Sequence, residues 1–304
     1  MRIYRYLLLL TPVAGLILLT GALKNPFSTS DEAPRLPDEL LQHLTSPADA
    51  RASAAVVSAL AELADPARPW LQAEVKLRSR IPELLFHGQG SFLRAPGQRF
   101  RLEVRMRMDD PELARAETTF LAVSDGNDLW QATRTSKQQL CDVQRLRLGE
   151  IRRAADGSPH SVGVREKLFA GPGIRGPEQM LRELSRVIVW VHLETKGNGR
   201  EVIGVWPAHA RANLAPTGKP WPLDLPRLYR LTLSGTNHWP SRIEWWGPTT
   251  ENGPDRLLAE IDYANPVRDQ AIPETECAKV FAFQPGDAEV TDRTAEVRAQ
   301  VDPR

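Results

Sequence analysis

The chain is short of sulfur chemistry and of net charge. Its 304 residues hold two cysteines, Cys141 and Cys277, and the formal charge is +1. Two cysteines so far apart, without a CxxC spacing, supply neither a zinc knuckle nor a thioredoxin-type redox motif. Near-neutrality removes the bulk electrostatic case for nucleic acid, which is not expected as a partner. The six histidines (His43, His87, His160, His192, His209 and His238) are scattered, with no HExxH and no close acidic pairing, so no metal centre is expected. No serine sits in a GxSxG elbow. Asp109-Asp110, followed by Pro111, reads as a turn. No nucleophile–base pair and no cofactor site can be assembled, and the chain is not expected to be an enzyme.

One literal dinucleotide motif remains. Gly171-Pro172-Gly173-Ile174-Arg175-Gly176 spells GxGxxG. The stretch before it, Val164-Arg165-Glu166-Lys167-Leu168, is charged through its middle where a buried strand is required, and Pro172 lacks an amide near the phosphate position. A glycine-rich hinge into a helix is the better reading.

What the chain does have is alternation. In Arg99–Met108 (RFRLEVRMRM) Phe100, Leu102, Val104, Met106 and Met108 fall on one face, and four arginines and Glu103 on the other. A period of two over ten residues separates dry from wet only in a strand, and a sheet with one wet face is normally antiparallel. Further strands are expected at 71–77, 87–94, 118–123, 129 onward, 187–195, 201–206, 228–235, 239–246, 257–264 and 279–284, with Asp125-Gly126-Asn127 as a tight turn. Helical spacing marks 141–155 and 177–186, and a helix capped by Ser46 with Pro47 at its first position runs to Pro66. The expectation is a mainly β fold, a half-open antiparallel barrel of about eleven strands plugged by short helices.

The N-terminus carries the targeting signal. Arg2 and Arg5 precede a charge-free run, Tyr6–Leu23, long enough to span a bilayer. Residues 1–23 are read as a signal anchor or a cleaved signal peptide, which places the rest in the periplasm or cell envelope. Residues 24–45, with three prolines, read as a flexible tether. Residues 46–297 form the domain and 298–304 a tail. In an oxidising compartment a Cys141–Cys277 bridge would pin the first inserted helix to the last strand; two free thiols are the alternative.

Several segments together resemble the family of the periplasmic lipoprotein carrier LolA and its outer-membrane acceptor LolB. They are Gly88-Gln89-Gly90-Ser91-Phe92 leading to Pro96 and Phe100, Phe120–Gly126 followed by Leu129-Trp130, and Phe281-Ala282-Phe283-Gln284-Pro285 with Val290-Thr291-Asp292. The resemblance implies a concave face that holds acyl chains under a helical lid. Arg94 is the nearest match to the basic residue that latches the lid, and Phe100 to the phenylalanine that lines the cavity. The expected ligand-binding set is Phe92, Arg94, Phe100, Leu102, Val104, Met106, Met108, Trp130, Met180 and Leu184. The implied partner is a lipid or an acylated protein, bound by a monomer held to the membrane through its N-terminal segment. The rival reading is an envelope scaffold whose barrel is packed solid.

Overall fold

The computed structural model describes residues 33–81, 85–108, 117–135, 139–156, 176–217, 219–223, 225–235, 238–251 and 253–301. The Tyr6–Leu23 run, the Asp109-Asp110 turn and most of the GxGxxG stretch lie outside them.

The chain after Pro34 does not hang free as a tether. It forms α1 (Asp38–Leu41) and a 3-10 turn (Gln42–Thr45). The expected Ser46 cap gives way to Asp49, whose carboxylate accepts from the amides of Arg51 and Ala52 at the start of α2 (Ala50–Leu63). Ser46 instead donates to the Gln42 carbonyl. An acidic side chain placed two to three residues before the free amides wins the cap.

Six strands follow as a meander: β1 (Leu71–Ser79), β2 (Phe86–Ala95), β3 (Arg99–Met108), β4 (Glu117–Asp125), β5 (Asp128–Thr135) and β6 (Leu140–Arg147). The crossover carries α3 (Leu148–Asp156) and α4 (Pro177–Val187). A second meander holds β7 (Val189–Lys196), β8 (Gly199–Val205), α5 (Ala208–Leu214), β9 (Leu228–Ser234), β10 (Trp239–Pro248) and β11 (Asp255–Arg268). The chain closes with α6 (Glu274–Val280), β12 (Val290–Asp292) and α7 (Thr294–Val301). The meanders join where β1 pairs antiparallel with β11, giving the order β12-β6-β5-β4-β3-β2-β1-β11-β10-β9-β8-β7. Its two ends are β12 and β7, so the sheet is open, and among the described residues it has twelve strands where about eleven are expected.

Two elements differ in kind from their sequence reading. The 141–155 stretch begins as a strand, in which Asp142 adopts φ +51° and the β5–β6 register shifts between Gln131 and Thr133. That irregularity masks the period of two. The expected strand at 279–284 is instead the end of α6 and the segment after it: Cys277 and Phe281, four apart, are buried together against Ala95.

The core lies on the inner face of the sheet. Leu71, Ala73, Val75 and Leu77 of β1 alternate with polar residues as anticipated and join Phe92, Leu102, Val104 and Met106 under α2 and α4. The alanines Ala52, Ala55 and Ala59 let α2 sit close to the wall. The sheet itself is drawn tight at Gly90, where a Cβ would lie 1.8 Å from the Glu103 carbonyl oxygen, so only glycine fits. Outside, Leu36 and Leu40, with Leu44, pack on Val191, Ile203, Val205, Leu228, Trp246 and Leu257. This N-terminal strap, residues 35–49, turns round the β7 edge, with the Asp49 amide donating to the Trp190 carbonyl at 2.9 Å.

The two cysteines are free. Pairing through Thr133 and Phe120 sets Cys141 level with Val104. Cys277 packs by Ala95, which pairs with Arg99. Five strand residues, roughly 17 Å at about 3.4 Å each, separate those levels, and a disulfide needs Cα atoms within about 7 Å.

Candidate functional site

The inner wall brings together most of the residues expected to hold a ligand. Phe92, Leu102, Val104, Met106, Met180 and Leu184 belong to one buried cluster, with Phe100 and Met108 half-buried at its border. The wall is dry enough that burial pushes the hydroxyls of Tyr229 and Tyr263 well above the usual tyrosine range. The described members of the cluster are covered by helices and by one another, the strand residues being 0–6% exposed.

Trp130 does not belong to this wall. It pairs with Val123, and Val123 with Arg101, on the outward side of the sheet. Its ring lies 5.2 Å from that of Phe283, under the Arg145 guanidinium. Leu129 and Trp130 are neighbours in a strand and must face opposite ways; the sequence pattern did not say which one faces in. Of the two inserted helices, α4 covers the wall, whereas α3 packs against α7 beside β6.

The roof of the wall is α4, and its first turn is held by polar groups at one rim. Arg94 donates to Glu178 at 2.6 Å and to the carbonyls of Pro69 and Arg68 at 3.2 and 3.4 Å. The second oxygen of Glu178 accepts from Arg182. Beneath them the Phe92 ring fills the space at Gly176, where a Cβ would lie 2.2 Å from the ring's Cζ. On its inner side α4 presents Met180, Leu181 and Leu184.

The strand register extends this rim. Phe100, Arg94, Leu71 and Arg268 stand opposite one another across β3, β2, β1 and β11. Arg268 donates to the carbonyl and carboxylate of Glu62 at the end of α2. It lies 5.9 Å from the Trp239 ring centroid. Arg68 shares the Glu62 carboxylate at 2.7 Å and also pairs with Asp269. Burial and the nearby Arg68 and Arg94 charges lower the Arg268 pKa, while Glu62 works against them. None of Glu62, Arg68 and Arg268 was singled out from sequence, because nothing in their local spacing marks them.

Among the described residues no group of acidic, histidine or cysteine side chains is arranged to hold a metal ion. Among them, no helix is long and apolar enough to cross a membrane. A polar hollow on the outer face at Gly90, lined by Glu74, Lys76, Gln89, Ser91, Glu103 and Arg105, has charges of both signs.

Searches of known protein families and of curated proteins find no match. Among solved structures the chain is similar to the MucA/MucB complex of Pseudomonas aeruginosa, at 10% identity and TM-score 0.31, over 75% of this chain and 60% of that one. It is also similar to a LolA superfamily protein from Nitrosomonas europaea, at 12% identity and TM-score 0.23, over 76% and 97%. A third is a putative outer membrane lipoprotein-sorting protein domain from Vibrio parahaemolyticus, at 8% identity and TM-score 0.28, over 75% and 97%. Likenesses at this level concern architecture alone.

Proposed function

We propose that the chain is an exported hydrophobic-ligand-binding protein of the LolA/LolB type, working as a monomer in the periplasm or envelope and tethered by its N-terminal apolar segment. The observation that carries this reading is an apolar wall roofed by a helix whose first turn is fastened by an ion pair. Ion pairs at a rim open reversibly, and a roof on such a fastening can lift from the wall.

The balance can be put in numbers. Lifting α4 uncovers Met180, Leu181 and Leu184, at about 1.5–3 kcal/mol each, or roughly 5–9 kcal/mol together. A bound chain returns about 0.8 kcal/mol per methylene, so roughly six to eleven methylenes are needed to break even. The ligand class is therefore a long-chain lipid or an acylated protein.

Native mass spectrometry after gentle extraction, followed by uptake of a fluorescent fatty acid, tests the reading. Co-purified lipid or saturable uptake supports it. A ligand-free chain that takes up nothing refutes it and leaves the second reading, a scaffold with a packed barrel, which the deep burial of the wall favours.

A further inference from the structure

We propose that Arg68, Arg94 and Arg268 form a site for the anionic headgroup of an amphiphile whose tail lies on the inner wall. This rests on the reading of that wall as a ligand-binding surface and adds the chemical class of the ligand's other end.

Three guanidiniums converge at one rim of the half-barrel. Arg94 and Arg268 flank Leu71 in the strand register, two strand spacings or roughly 10 Å apart, and Arg94 also bonds the Arg68 carbonyl. The acidic groups holding them are Glu62, Glu178 and Asp269. Of these, Glu178 belongs to the roof helix. The Arg268 side chain is 9% exposed, and its Nη2 is buried without a hydrogen-bond partner. A buried guanidinium donor left unpaired is costly and is satisfied when an acceptor arrives.

The chemistry follows from the attachment of Glu178. When α4 lifts, its carboxylate leaves with it, and Arg94 loses its anionic partner while the wall beneath becomes accessible. A phosphate or carboxylate at the head of an entering amphiphile then takes the vacated position, accepting from Arg94 and from the idle Nη2 of Arg268. Guanidinium forks suit such oxyanions because they donate two parallel bonds. Glu178 is on this view an internal stand-in for the ligand's head. Phe92, Phe100 and Leu71 beside the arginines begin the path for the tail. A neutral lipid of equal length gains the wall but leaves Arg94 without an anionic partner and the Arg268 Nη2 unpaired.

The test uses the full chain in nonionic detergent, with displacement of a neutral fluorescent acyl probe by hexadecyl phosphate and by hexadecanol. The expected result is that the phosphate binds at least about tenfold more tightly than the alcohol, the scale of one charge-assisted hydrogen bond. Arg268→Gln should cut that ratio severalfold and an unchanged ratio would overturn the role of Arg268, whereas Arg268→Lys should keep most of it, with melting curves followed for both. Glu178→Gln, which removes the internal competitor, should tighten phosphate binding several-fold. Equal binding of phosphate and alcohol overturns the headgroup site while leaving the wall as a ligand site. Absence of probe binding overturns the wall reading and the headgroup site with it. Displacement by millimolar inorganic phosphate alone identifies a free-anion site and also overturns the proposal.

Discussion

Replacing Arg94 by methionine tests the fastening of the roof directly. The side chain keeps its apolar stem on the wall but loses its donors to Glu178, Pro69 and Arg68. The Arg94 and Glu178 side chains are 18% and 28% exposed, so the pair is only partly screened. A hydrogen bond to a charged group is worth about 1.5–3 kcal/mol. Glu178 retains Arg182 and is not stranded, which argues for the lower part of that range. About 2 kcal/mol shifts the opening equilibrium of α4 by roughly thirtyfold. Amide exchange across Met180–Leu184 should accelerate by that factor, and a neutral acyl probe should enter correspondingly faster. A neutral probe is chosen so that loss of the arginine as a headgroup partner does not confound the result. Exchange within about twofold of the parent chain, with unchanged entry, would refute the view that this ion pair holds the roof.

Other perturbations address separate parts of the argument. Phe100→Glu places a charge at the border of the wall and should abolish uptake of a fluorescent fatty acid with the far-ultraviolet spectrum retained; unchanged uptake would move the ligand path elsewhere. Gly90→Ala forces a methyl against the Glu103 carbonyl and should destabilise the chain by about 3 kcal/mol or more, seen as a lower denaturant midpoint. Denatured without reductant, the chain should take up two equivalents of iodoacetamide; a chain with none would restore the disulfide. The strap should loosen in acid. Burial and the stacked His192 ring, 4.2 Å away, lower the His43 pKa below 6.5, against a smaller raising effect of Glu194. A histidine whose folded-state pKa is lowered contributes stability that is present above its unfolded value and lost as pH falls through the folded value. Exchange of the Leu40–Leu44 amides, corrected for intrinsic rates, should therefore rise between about pH 7 and pH 5, and His43→Phe should flatten that rise.

The elements legible in the sequence were those whose pairing kept a clean period. β1, β3 and the Asp125–Asp128 turn follow from alternation and turn chemistry alone, and α4 from Pro177 and the spacing of Met180, Leu181 and Leu184. The open, mainly β architecture is legible in the succession of alternating segments. Bulges defeated the pattern: the shift opposite Gln131 made β6 look helical. Phe281 reads as part of a strand at 279–284, with Cys277 before it, because alternation and a single helical turn look alike over so few residues. Alternation also cannot name its own inside, which is why Trp130 was assigned to the wall. The arginine cluster was beyond local reading altogether, since Arg68, Arg94 and Arg268 meet only through the register of three strands and the end of α2.

That register has a consequence for assembly. Each meander is built from neighbours in the chain, but the seam between them joins Leu71 to Arg268, nearly two hundred positions apart. Ring closure over such a span is slow. Until β11 has been synthesised and delivered, β1 presents a bare edge, and the greasy side of the first meander has only α2 and, later, α4 to shelter it. A nascent chain is thus exposed to mispairing for most of its emergence, and a helper that masks β1 during that interval would raise the yield of folded protein more than any added core contact.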